Sequence, residues 1–327
     1  MPKFSLIIPV YNVESYLAEC LDSCINQTFK DIEIICINDC SPDKSDLILS
    51  KYAKKDSRVK IINHEKNKGL GGARNTGISA AAGKYTWFID SDDYIILNAC
   101  EILNDIITQF NADIIRFNRI DYEYDINTKK KTILPTQHNS WETNKLFTKS
   151  DFTKLKRPEV SACVYITLTD LLKTVKFREG IIYEDNDFTP ILFSKSNTIY
   201  NSNYSLYCVR QRAGSISRDN NSYIEKRINH ILPAINALYE YNVSEKLHKL
   251  HFCTRTLVAL YSDIYKEYVK HPELHTDELN KIIKKIKNYC ISNSRYLKFH
   301  DNFKYLFHNL IISKIIKKLF FRSKKTD

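Results

Sequence analysis

The chain has 327 residues, 43% of them hydrophobic, which is enough for one large domain or two smaller ones and excludes wholesale disorder. Its 49 Lys plus Arg exceed its 38 Asp plus Glu by 11, but the excess is local: Leu279 to Asp327 holds 13 basic against 2 acidic residues, and the other 278 residues hold 36 of each. Pro9 interrupts the first apolar run, no stretch of about 18 uncharged apolar residues occurs, and the nine cysteines include no credible four-ligand zinc set around Cys20/Cys24 or Cys36/Cys40; the expectation is a cytoplasmic chain with reduced, apolar cysteines.

The N-terminal third alternates strand and helix signals. Ser5–Val10 is a short apolar run, and Glu14–Gln27 carries Leu17, Leu21, Cys24 and Ile25 at helical spacing. Ile32–Ile37 is continuously apolar, as a strand buried on both faces is. Asp46–Ala53 reads as a helix after the Ser41-Pro42-Asp43 turn, Val59–Ile62 as a strand, Leu70–Ala82 as a small-residue helix and Tyr85–Ile89 as a strand. Ala99–Phe110 then predicts a helix and Ala112–Phe117 a strand. Such alternation predicts a largely parallel sheet with helices on both faces and ligands at the carboxyl ends of the strands. From Asp121 to Lys156 the pattern weakens to a predicted loop or insertion, alternation resumes to about Ser217, and beyond Asn220 only helices are predicted.

The sharpest chemical feature is Trp87-Phe88-Ile89-Asp90-Ser91-Asp92-Asp93, where three carboxylates crowd the end of an apolar strand. Like charges at that density repel, and a divalent cation relieves them while leaving room for diphosphate oxygens. Alone, an Asp-x-Asp pair is more often a solvated turn capping the next helix. Here it is joined by Ser5-Leu6-Ile7-Ile8-Pro9-Val10-Tyr11-Asn12 after the first strand and by Ile34-Ile35-Cys36-Ile37-Asn38-Asp39-Cys40-Ser41-Pro42-Asp43 after the second. Asn67-Lys68-Gly69-Leu70-Gly71-Gly72-Ala73-Arg74-Asn75-Thr76-Gly77 opens a helix. Tyr11 can stack on a base, Asp39 can accept from a base N–H, and Arg74 can meet phosphate.

This set resembles the family 2 glycosyltransferases, through about Ser217. The resemblance implies an α/β fold of GT-A type, a single Rossmann-like, mostly parallel sheet with flanking helices, here with a C-terminal helical extension. It divides the chain into a nucleotide-sugar-binding half (1–120), an acceptor-binding and catalytic half (121–218) and a helical region with a basic amphipathic tail (219–327). By the same match, Pro9, Tyr11 and Asp39 would contact base and ribose, Arg74 would lie near ribose or phosphate, and Asp90 with Ser91 would meet the donor. Asp92, with Asp90, would ligate Mn²⁺ or Mg²⁺. Gly180-Ile181-Ile182-Tyr183-Glu184-Asp185-Asn186-Asp187-Phe188 is similar to the family's Glu-Asp motif, which makes Asp185 the expected catalytic base and Glu184 an acceptor-orienting residue. Tyr207 to Ser217 is similar to a segment in which Arg210 or Arg212 would hold the departing diphosphate, with Ser215 nearby. The departures are Asn38 and Cys40, where the family often has Asp and Gly.

The implied activity is inverting transfer of a sugar from a nucleotide-sugar, a UDP-hexose or UDP-N-acetylhexosamine, to a saccharide or lipid-linked saccharide in cell-surface glycan synthesis. A nicotinamide-dependent dehydrogenase is disfavoured because Gly-x-Gly-x-x-Gly is missing after the first strand. A sugar nucleotidyltransferase and a non-catalytic nucleotide-sugar or membrane-binding module remain alternatives. In the tail, Ile312, Ile315, Ile316, Leu319 and Phe320 oppose Lys314, Lys317 and Lys318 at helical spacing. That pattern suits an anionic membrane face rather than nucleic acid, or equally a terminal helix docked on the body.

Overall fold

The structure is a computed structural model that describes residues 1–125, 130–135, 141–211, 224–247 and 251–292. The chain falls into two compact units, Met1–Tyr223 and Ile224–Asp327.

The first unit is built on one mixed sheet. In chain order it contains β1 (Phe4–Val10), α1 (Leu17–Ile25), β2 (Ile32–Asn38), α2 (Ser45–Lys55), β3 (Val59–Asn63), α3 (Gly69–Ala80), β4 (Tyr85–Phe88), β5 (Tyr94–Ile95) and α4 (Ala99–Phe110). There follow β6 (Ile114–Asp125), β7 (Lys130–Ile133), β8 (Lys145–Thr148), β9 (Tyr165–Leu168), α5 (Thr169–Leu172), α6 (Asp185–Lys195) and β10 (Thr198–Gln211). The strand order is β3-β2-β1-β4-β9-β6-β10-β5, with β7 beside β6 and β8 beside β10. The β3-β2-β1-β4 block and the long β6–β10 pair are parallel, and β9 joins them antiparallel to both β4 and β6.

Apolar residues on alternate sides of β1 and β2 fix the layers. Leu6, Ile8, Ile34 and Cys36 share a core with Leu17, Leu21 and Cys24 of α1 and Leu103 of α4. On the other face, Ile7 and Ile37 press against α3 at Gly77, where an added Cβ would sit 2.3 Å from Ile7 Cγ2. Trp87 is fully buried and donates its indole N–H to the Cys163 carbonyl at 2.8 Å, which ties β4 to the segment entering β9.

Two expectations need adjustment. The stretch from Asp121 to Lys156 is not simply a loop: β6 runs on to Asp125, β7 returns beside it and β8 pairs with β10. Tyr122-Glu123-Tyr124 is strand-favouring sequence that the lysine run and Pro135 obscure. Cys40 occupies the left-handed region at φ 58°, so the turn after β2 keeps the conformation that suits glycine and accepts the strain of a side chain. The described cysteines are all free.

The second unit is helical over its described residues: α7 (Ile224–Ser244), α8 (Phe252–Lys270) and α9 (Asp277–Ser292). Ile228, Ile231, Ile235 and Leu238 of α7, Leu257, Tyr261 and Ile264 of α8, and Leu279, Ile283 and Ile286 of α9 are buried at helical spacing. No helix among the described residues is long and apolar enough to cross a membrane. The amphipathic segment from Ile312 to Phe320 lies outside the described residues.

Candidate active site

The parallel strands deliver the sequence-selected residues to one place. The ends of β1 (Pro9, Tyr11), β2 (Asp39) and β4 (Asp90 to Asp93), with Arg74 of α3, Glu184 and Asp185 at the start of α6 and Arg210 of β10, line a single cavity of about 1010 Å³. Asp92 and Asp185 therefore share a pocket although 93 positions separate them in sequence. Tyr11 is half exposed at the mouth, as a residue free to stack on a ring would be. Arg212 and Ser215 lie outside the described residues.

Arg74 ties the two acidic groups together. Its Nη2 donates to Asp90 Oδ1 at 2.8 Å and its Nη1 to Glu184 Oε1 at 2.5 Å. The guanidinium is 2% exposed and lies 5.6 Å from the Phe88 ring and 5.3 Å from the Phe177 ring. A buried cation needs such partners. Burial opposes its charge, but Asp90, Glu184 and Asp185 outweigh that opposition and raise its pKa. Arg74 is thus paired with two carboxylates while it lines the cavity.

Asp185 is the first residue of α6, and Tyr183, two positions earlier, has φ 65°, a strained conformation at the approach to the site. Burial pushes the Asp185 carboxyl up to about 8; Glu184 adds to the shift, Arg74 opposes it, and Asp90 adds further. Burial also raises Glu184 against the pull of Arg74. A carboxylate of raised basicity in a cleft is a candidate proton acceptor.

The acidic turn hangs from β10. The Asp90 N–H donates to Tyr207 Oη at 2.9 Å, the Tyr207 hydroxyl donates to Asp93 Oδ2 at 2.9 Å, and the Arg210 N–H donates to Asp93 Oδ1 at 2.8 Å. Asp93 is 6% exposed; burial, then Asp92 and Asp90, push its pKa up. Arg210 Nε donates to the Asp92 carbonyl at 3.1 Å, and its Nη2 meets the Glu19 carboxylate. Burial alone would raise Glu19, but hydrogen bonds from Lys131 and Arg210 bring it below its ordinary value.

Asp39 is held from behind. Its Oδ1 accepts the Lys68 backbone N–H at 2.8 Å and lies 2.6 Å from His64 Nδ1, whose other ring nitrogen is 2.8 Å from Thr76 Oγ1. With the proton on Nδ1, His64 donates to Asp39 and accepts from Thr76. The loops after β1 and β2 are joined by the Asn12 N–H donating to Ser41 Oγ at 2.8 Å. Sequence reasoning missed Glu19, His64, Asp93, Lys131 and Tyr207. Asp93 and Tyr207 lay inside quoted motifs and had no role; the other three carry no local pattern.

The donor set can be tested for a divalent cation. Among the described residues, no group of three or more His, Cys, Asp or Glu side chains is arranged to hold a metal ion. Asp92, half-buried, lines the cavity and is the candidate ligand that the motif offers, with Asp90, which Arg74 also holds, beside it. One carboxylate beside a large cavity fits a cation that takes its remaining ligands from diphosphate and water, as Mg²⁺ does.

The sequence profile of "Glycosyl transferase family 2" matches residues 5–174. The uncharacterized glycosyltransferase EpsJ of Bacillus subtilis is 34% identical over 226 residues, covering 66% of this chain and 63% of EpsJ. Glycosyltransferase GlyA of Streptococcus pneumoniae is 34% identical over 228 residues, covering 66% of this chain and 32% of GlyA. The match thus spans less than two thirds of the length of these relatives. Staphylococcus aureus TarS 1-349, crystallised in complex with UDP-GlcNAc, superposes with a TM-score of 0.63 at 22% identity over 89% of this chain and 81% of its own, so the GT-A type of fold is shared. With a profile match over about half its length and the acidic, Arg-bearing and Glu-Asp motifs gathered in one cleft, the chain belongs to glycosyl transferase family 2.

Proposed function

We propose that the chain is an inverting glycosyltransferase that moves a sugar from a nucleotide-sugar, a UDP-hexose or UDP-N-acetylhexosamine, to a hydroxyl of a saccharide or lipid-linked saccharide in cell-surface glycan synthesis. One observation carries the reading: Asp92 and Asp185 face a common cavity, and Arg74 braces the acidic groups that flank them.

In this reading Pro9, Tyr11 and Asp39 hold the nucleoside, with His64 fixing the Asp39 carboxylate. Asp90 and Ser91 meet the donor's ribose side. Asp92 would hold Mn²⁺ or Mg²⁺, which when bound would supply charge neutralisation at the leaving diphosphate. Asp185 accepts the acceptor hydroxyl's proton as its oxygen bonds to the anomeric carbon, while the bond to the β-phosphate oxygen breaks and its electron pair leaves with the nucleoside diphosphate. A single displacement inverts the anomeric centre. Holding both substrates in one cleft removes much of the entropic barrier. Glu184, paired with Arg74, orients the acceptor side. Arg210, which also pairs with Glu19 and the acidic turn, or Arg212 would hold the departing diphosphate, with Ser215 contributing a hydrogen bond. The basic C-terminal tail would bring the enzyme to the anionic inner face of the cytoplasmic membrane.

The test is a panel of nucleotide sugars, scored for release of nucleoside diphosphate with Mn²⁺ or with chelator, with and without saccharide acceptors. Metal-dependent release from one donor, lost in Asp185→Asn, supports transfer. Binding without release in every combination would favour a non-catalytic nucleotide-sugar module.

A further inference from the structure

Arg210 is fixed from several directions. Its backbone N–H reaches Asp93 Oδ1 at 2.8 Å, its Nε reaches the Asp92 carbonyl at 3.1 Å and its Nη2 reaches Glu19. The guanidinium carbon lies 5.1 Å from the Tyr16 ring and 5.2 Å from the Tyr122 ring. The second Glu19 oxygen takes Lys131 Nζ at 2.7 Å, and that ammonium lies 4.4 Å from the Tyr94 ring. One carboxylate on α1 therefore gathers cations from β7 and β10. Arg210 is only 8% exposed, so swinging it toward a ligand would break the Glu19 pair and uncover two aromatic faces. Of the guanidinium's bonds, the one that ends on the acidic turn is that to the Asp92 carbonyl.

We infer that Glu19 is a positioning residue: acting through Arg210, it fixes the backbone at Asp92 and thereby sets how tightly the site takes a divalent cation together with a nucleoside diphosphate. The inference rests on the reading above in which Asp92 holds that cation. Lys131 serves the same purpose at one remove, by holding Glu19 in place. Outer-shell partners of this kind contribute about 10- to 100-fold to metal affinity. Glu19 is half exposed and Lys131 lies on a different strand, so the effect of Glu19→Gln falls at the low end, about 10-fold.

The experiment is calorimetric titration of the full chain with UDP, and with GDP in parallel, in Mn²⁺ and in EDTA, for wild type, Glu19→Gln, Glu19→Asp, Lys131→Met and Asp92→Asn. Glu19→Gln should weaken binding about 10-fold in Mn²⁺ and leave the EDTA value unchanged. Glu19→Asp, which keeps the charge, should recover part of the loss, and Lys131→Met should lose less than Glu19→Gln. Equal affinity of Glu19→Gln and wild type in Mn²⁺ would overturn the proposal, as would an equal loss with and without metal. If wild type binds no more tightly in Mn²⁺ than in EDTA, or if Asp92→Asn keeps the metal response, the cation reading itself fails and this proposal with it. Those controls separate the two failures, and Glu19→Asp gives the answer should Glu19→Gln not fold.

Discussion

Replacing Asp185 with asparagine should destroy activity and stabilise the fold. Burial holds the Asp185 carboxyl at about 8 against an ordinary 3.8, so the folded chain binds this proton more tightly than the unfolded chain. Stability from this group is complete below the unfolded value. It declines as pH climbs from 3.8 toward 8, because the unfolded chain releases the proton and the folded chain must hold it or bear a buried charge. At pH 7 the gap of about three units corresponds to about 4 kcal/mol. Arg74 and Glu184 readjust when Asp185 changes, so the net gain for Asp185→Asn should be about 1–3 kcal/mol. For a unit of this size that is about 2–4 °C per kcal/mol. Scanning calorimetry at pH 4.5, 7 and 8.5 should show the variant's advantage grow with pH, while kcat falls by about 10²–10⁴ at neutral pH. Wild-type kcat/KM should rise with pH until the carboxyl is ionised. A variant no more stable than wild type at pH 7, or one whose advantage does not depend on pH, would refute the electrostatic reasoning; full activity would refute the base assignment.

Other substitutions test other levels of the structure. Gly77→Ala puts a methyl 2.3 Å from Ile7 Cγ2 and 3.0 Å from Ile37 Cδ1, and should destabilise by about 1–3 kcal/mol in urea, with Ile7→Ala recovering part of the loss. Cys40→Gly removes a side chain from a left-handed residue and should stabilise by about 1 kcal/mol; a destabilised variant would mean that the Cys40 side chain makes a contact that matters. A chain ending near Asp301 should lose sedimentation with vesicles of anionic phospholipid that the full chain shows; undiminished binding would remove the membrane role of the tail.

The sheet was legible wherever strands are buried on both faces, because a continuous apolar run such as Ile34-Ile35-Cys36-Ile37 admits little else. The site was legible for the same reason. Parallel strands end on one edge, so polar residues directly after them, Asp39 and Asp90 to Asp93, must meet. What escaped were groups whose meaning depends on distant partners. Glu19 and Arg210 are 191 positions apart, and Tyr207 and Asp93 are 114 apart. No periodicity in α1 marks Glu19 as more than an exposed acid. The extension of β6 escaped because Asn118 to Tyr124 mix polar with apolar types and lie partly exposed, although β10 and β7 pair with them, so no continuous apolar run marks a strand there.

The pairing of Arg74 explains why the carboxylates of this cleft behave differently. One guanidinium serves Asp90 and Glu184 directly and reaches Asp185 only by field, so Asp185 keeps most of the burden that burial places on it. Removing Arg74 would leave these acids without their counter-charge, a change of about 3–5 kcal/mol for a broken buried pair. Lysine would restore the charge but not the fork that reaches two carboxylates at once. The distribution of one cation among unequal partners leaves a basic carboxylate beside the space where an acceptor hydroxyl would arrive. The same arrangement makes that carboxylate sensitive to any charge that enters the cavity: a bound nucleoside diphosphate should raise its pKa, and a divalent cation should offset part of that rise.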